Sequence, residues 1–171
     1  MASLLSFKKV DEFFGDLATK HVDIEDYCST SAQELADRIS STEGVQSPIL
    51  VFYDYFSKLS GNEQRTFNNR SLGFSILFTG IKADDFPGQR DAKEKAEKIG
   101  LEVLSRINVW SKMPESGWLY KNFDKETVTY DEVDAEGSDG YYGMDFHFEL
   151  KTLEPLVVDP AKWTDGNIFC T

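Results

Sequence analysis

The sequence predicts an α+β fold: a mainly antiparallel sheet, a long helix packed across one face of it, and a further helix at the N-terminus. Three observations predict it. Three runs, "PILVFYDYF" (48–56), "SLGFSILFTG" (71–80) and "YYGMDFHFEL" (141–150), carry the aromatic, β-branched or strictly alternating residues of strands. One run, "DDFPGQRDAKEKAEKIGLEVLSRINVW" (84–110), steps its apolar residues by three and four, as one face of a helix does. The strands come in pairs joined by short turns, which favours antiparallel pairing and leaves one apolar side per strand for helices to cover.

The elements follow in order. Residues 4–18 predict a helix, with Val10, Phe13, Phe14 and Leu17 on one face. The polar stretch from Asp23 to Thr30 reads as a loop. A short helix is expected over 32–40, where Ser31 and Glu34 have capping-box spacing. "PILVFYDYF" and "SLGFSILFTG" form a long hairpin turning at "SKLSGNEQ", and Leu72, Phe74, Ile76 and Phe78 share one side. In the long helix Pro87 suits the first turn, where a missing N–H costs nothing. Gly100 interrupts that helix at a cost of about 1 kcal/mol relative to alanine, so it marks a close neighbour. "GWLYKNF" and "TVTYDEV" are expected to form a hairpin turning at "DKE". In the last strand Tyr142, Met144, Phe146, Phe148 and Leu150 face the core, and Asp145, His147 and Glu149 face away. The chain divides into one domain, 1–151, and an extended C-terminal arm, 152–171, whose apolar residues have no regular period.

Composition limits the function. The 171 residues suit one domain, and 40% hydrophobic residues give it a core without staples. Two cysteines, Cys28 and Cys170, do not make a disulfide framework. The start "MASLLSFKK" lacks the charge order of a secretion signal, and no apolar run approaches the roughly 20 residues that span a bilayer. With 30 acidic and 18 basic residues the formal charge is −12, which argues against phosphate neutralisation and against docking on anionic membranes.

No motif for a nucleophile elbow, a phosphate loop or a dinucleotide site occurs. The row Asp145, His147, Glu149 places neighbours about 7 Å apart along one strand face, too far for three ligands to converge on one ion. Neither a catalytic residue, a metal nor a cofactor is expected. The acidic run Asp131, Glu132, Asp134, Glu136 and Asp139 lacks calcium-loop spacing, because Gly137 falls at the wrong place. It reads as a solvated loop or as the lining of a negative surface. The aromatic residues Phe52, Tyr53, Tyr55 and Tyr141, with Trp163 and Phe169 of the arm, exceed what one core face takes up. They are the candidate interface, since aromatic residues are enriched where proteins meet.

The element order and the segments "FKKVDEFFGDLATKH", "SPILVFYDYF", "SLGFSILFTG", "GQRDAKEKAEKIGLEVLSRI" and "YYGMDFHFEL" resemble the tail-terminator and head–tail connector proteins of tailed bacteriophages. The resemblance spans about residues 4–151 and omits the helix at 32–40 and the arm. It implies a homo-oligomeric ring, sixfold or twelvefold, around a DNA channel. Portal, neck or tail-tube proteins would be its partners, and it would assemble in the host cytoplasm and reside in the virion. DNA would pass without specific binding, with Asp131, Glu132, Asp134 and Glu136 as channel-lining residues that repel phosphate. Two other classes stay open: a small acidic binding module, such as a DNA mimic, and an enzyme using Asp145, His147 and Glu149.

Overall fold

The computed structural model describes residues 5–29, 46–62, 65–134 and 140–165. The helix expected over 32–40 lies outside them. The order is α1 (Phe7–Lys20), β1 (Asp26–Ser29), β2 (Ile49–Asn62), β3 (Arg65–Ile81), α2 (Phe86–Trp110), β4 (Phe123–Asp134) and β5 (Gly140–Leu153). A short 3-10 turn, Pro114–Leu119, joins α2 to β4. The strands form one sheet in the order β1-β2-β3-β5-β4. Only the β1–β2 pair is parallel, so the fold is α+β with a mainly antiparallel sheet, as the sequence predicts.

Both helices start where the sequence supplies a cap. The Ser6 side chain accepts from the Lys9 N–H at the head of α1, and Asp85 accepts from the Gly88 N–H at 3.0 Å at the head of α2. Val10, Phe14, Leu17 and Ala18 of α1 are buried, as are Ala92, Ala96, Ile99, Val103, Leu104 and Ile107 of α2. All of these but Ala92 join one core with alternate residues of the sheet.

Strand register sets an aromatic row through that core. Phe52 pairs with Phe74, Phe74 with Phe146 and Phe146 with Tyr130, across β2, β3, β5 and β4. Phe74 stacks on Phe146 at 5.0 Å, and Phe14 of α1 stacks on Phe52 at 4.7 Å. Gly100 of α2 meets this row, because a Cβ there would lie 2.1 Å from the Phe146 ring. That is the close neighbour its place in the helix pattern predicts.

Four expectations are corrected. Asp26–Ser29 is a strand rather than a loop, since it pairs with the buried half of β2 and buries Cys28. "GWLYKNF" is not a strand: Pro114 starts a 3-10 turn, Gly117 takes a positive φ of 62°, and Leu119 is buried. The "DKE" turn exists, but as a register shift between Asp124 and Thr129 inside β4. There the Asp124 carboxylate accepts from the Glu126 N–H and Thr127 Oγ1 donates to the Asp124 carbonyl. Among the described residues two strands therefore follow α2, not three. Finally, β2 and β3 run on through "SKLSGN" and "RTFNNR", so that Asn62 pairs with Arg65.

Candidate assembly surface

Strand β2 has two surroundings. Ile49, Leu50, Val51 and Phe52 are buried, with β1 on one side and β3 on the other. A bulge follows between Phe52 and Asp54. From Asp54 to Asn62 the strand pairs with β3 alone, and among the described residues no strand covers the outer edge from Tyr53 onward. Phe56 is 60% exposed on this stretch, and Leu59 is also exposed. Their partners are Ser71 and Asn68, so the two side chains stand on opposite faces. The only charged residues from 53 to 62 are Asp54 and Lys58. A long edge with few charges and exposed apolar side chains is a template for another strand.

A buried arginine holds this extension to the core. Arg70 of β3 is 2% exposed, and each of its three guanidinium nitrogens donates to a partner. Nε donates to the Tyr55 hydroxyl at 3.0 Å, and one terminal nitrogen donates to Thr152 Oγ1. The other reaches the Leu5 carbonyl at 3.1 Å and the Glu154 carboxylate at 2.9 Å. A buried charge is costly unless it is paired and hydrogen-bonded, and here four residues from three segments of the chain supply the pairing.

The face of the sheet that carries Asp145 and His147 is polar in its middle. Ser75 Oγ donates to Asp145, and the Tyr53 hydroxyl lies 2.9 Å from His147 Nε2. Burial, then the neighbouring Asp145 carboxylate, pushes the Tyr53 phenol well above its ordinary value. The phenol therefore keeps its proton, and it shares a hydrogen bond with His147 Nε2. His147 Nδ1 faces Asp54 at 3.8 Å. Asp145 and His147 are thus joined through Tyr53, whereas the Glu149 side chain is exposed.

The remaining candidate residues fall in different places. Phe52 is corrected to the core, where it is 1% exposed. Tyr55 is partly buried on Arg70, and Tyr141 packs on a small second cluster of Cys28, Ile49, Val51 and Leu77. Trp163 is exposed. Phe169 and Glu136 lie outside the described residues. Within the acidic run Glu132 and Asp134 bind Lys93 of α2 at 2.5 and 2.7 Å, while Asp131 pairs in register with Asp145. The arm begins inside the sheet, since β5 runs to Leu153 and Thr152 is buried. Beyond it Leu156, Val157 and Val158 are exposed, Val157 at 81%.

One cluster has no counterpart in the sequence reading. His21, Asp23 and Glu102 place one ligand atom each within 4.8 Å of the others. His21 Nδ1 accepts from the Asp23 N–H, so Nε2 carries the proton and donates to Glu102 at 3.1 Å. Both ring nitrogens are occupied, and the arrangement ties the end of α1 to α2. The sequence separation of 81 between His21 and Glu102 hides it from any spacing rule.

No protein-family model and no curated protein matches this chain. Among the described residues no helix is long and apolar enough to cross a membrane.

Proposed function

We propose that this protein is a structural subunit of a ring around a DNA channel, of the head–tail connector or tail-terminator kind in a tailed-phage virion. The observation that carries the reading is the open edge of β2 from Tyr53 to Asn62, with Phe56 and Leu59 exposed beside it. A strand of the neighbouring copy laid along this edge takes up its free N–H and C=O groups and covers both side chains. Such a contact is head-to-tail, and head-to-tail contacts close into rings when the rotation permits. Sixfold or twelvefold closure fits this kind of ring, with portal, neck or tail-tube proteins above and below.

The reading includes α2 laid across one face of the sheet, which the approach of Gly100 to Phe146 supports. It gives the exposed Leu156, Val157 and Trp163 a neighbouring copy to reach. The net charge of −12 suits a passage that DNA crosses without sticking. Electron microscopy of the purified chain tests it. Ring-shaped averages with a central opening are expected. Fields of single 19.4 kDa particles with no closed assemblies would overturn it.

A further inference from the structure

One concave surface has a charge opposite to that of the chain as a whole. It is a groove of about 380 Å³ between the end of α2 and the start of β4. Asn108 and Lys112 come from the helix end, Tyr120 and Lys121 from the turn, and Phe123 and Lys125 from β4 and its approach. Its charged lining is three lysines and no carboxylate, in a chain with 30 acidic residues against 18 basic ones. Among the described residues Lys112, Lys121 and Lys125 have no acidic partner, and neither the Asn108 amide nor the Tyr120 hydroxyl has a hydrogen-bond partner.

A helix C-terminus attracts cations, and this accounts for Lys112, two residues after α2 ends. It does not account for Lys121 and Lys125, which arrive from other segments. Lys121 is the one non-glycine among the described residues at positive φ, 58°. Its N–H is held by the Ser111 carbonyl at 2.7 Å, and its ammonium stands 5.0 Å from the Tyr120 ring centre. The backbone thus adopts a conformation that L-residues rarely take and brings a third lysine to the groove.

We infer that this groove binds a phosphate-bearing ligand. Three ammonium groups, an amide and a phenol offer many donors around one cavity, which suits an oxyanion of more than one negative charge. Phe123 and the Tyr120 ring form an apolar wall beside the charges, as a nucleotide requires. The phosphate has two possible sources, a free nucleotide or polyphosphate and a nucleic-acid backbone. The inference is independent of the ring reading.

Calorimetry on the full chain at low salt tests it, with pyrophosphate, adenosine triphosphate and a short DNA duplex as probes. One pyrophosphate per chain is expected. The combined variant Lys112→Gln, Lys121→Gln, Lys125→Gln should lose about tenfold or more in affinity. A control with the same charge change elsewhere, Lys82→Gln, Lys95→Gln, Lys98→Gln, should bind as the wild type does. If the combined variant melts early, Lys112→Gln alone replaces it, with a smaller loss that the control still lacks. Displacement of pyrophosphate by the duplex assigns the site to nucleic acid, and displacement by the triphosphate alone assigns it to a free ligand. No saturable binding of any probe, or an equal loss in the control, would overturn the inference.

Discussion

The two halves of β2 are built from similar residues and do different things. Ile49–Phe52 lies between β1 and β3 and is buried. Tyr53–Asn62, beyond one bulge, has β3 on one side only and exposes Phe56 and Leu59. The bulge changes the facing: Phe52 stands opposite the core residue Phe74, whereas Phe56 stands opposite Ser71 on the other face of the sheet. Phe52 and Phe56 are four residues apart, 1% and 60% exposed.

The comparison breaks most readily at its buried end. Phe74, fully buried between Phe14 and Phe146, should cost about 3–5 kcal/mol when changed to alanine. Phe56→Ala should cost no more than about 0.5 kcal/mol. Denaturant unfolding measures both, and equal losses would erase the distinction between the halves. Arg70→Ala comes next. It removes the group that ties Tyr55, Thr152, Leu5 and Glu154 together, and should cost about 3–5 kcal/mol because Glu154 loses its partner. A loss under about 1 kcal/mol would mean that the extension stands without it.

Gly100→Ala sharpens the other side of the core. Alanine is the better helix former by about 1 kcal/mol. Its Cβ would nevertheless strike the Phe146 ring, so a net loss of about 1–3 kcal/mol is expected, and a gain in melting temperature would show that the ring moves aside freely.

The smallest effect is on pH dependence. Burial and Asp11 raise the Tyr27 phenol, burial and Asp145 raise Tyr53, and Asp134 with Glu132 raises Lys93. A group raised in the folded state binds more protons there than in the unfolded chain. Its stabilisation is full below the unfolded value, about 10 for tyrosine, and is lost as pH rises above it. Stability should therefore fall above about pH 10, and less steeply in Tyr27→Phe. The same alkaline slope in both proteins would contradict this.

Much of the fold was legible because periodicity and burial coincide. In β5 the residues Tyr142, Phe146, Phe148 and Leu150 alternate in sequence and are buried in fact. Gly100 announced a contact because it breaks a helix pattern. "ILVF" and "YDYF" have no alternation, so nothing in them separates the buried Phe52 from the exposed edge. "DYCS" is too short and polar to read as a strand, and its place depends on pairing with Ile49–Phe52. "GWLYKNF" has strand-like composition, but Pro114 and Gly117 decide the backbone. The side-chain contacts were the least legible part. Arg70 meets Thr152 82 residues away, and Tyr53 meets His147 94 residues away. The alternation put Asp145 and His147 on one face, yet only the tertiary structure adds the tyrosine between them.

The central claim is that the exposed half of β2 is an assembly edge. Native mass measurement of the wild type and of Phe56→Lys/Leu59→Lys tests it most directly, since charge on an edge blocks strand addition. The wild type should give a closed multiple of the 19.4 kDa chain, and the variant a monomer with unchanged circular dichroism and melting temperature. A variant that assembles like the wild type, or a wild type that stays monomeric at every concentration, would contradict the account.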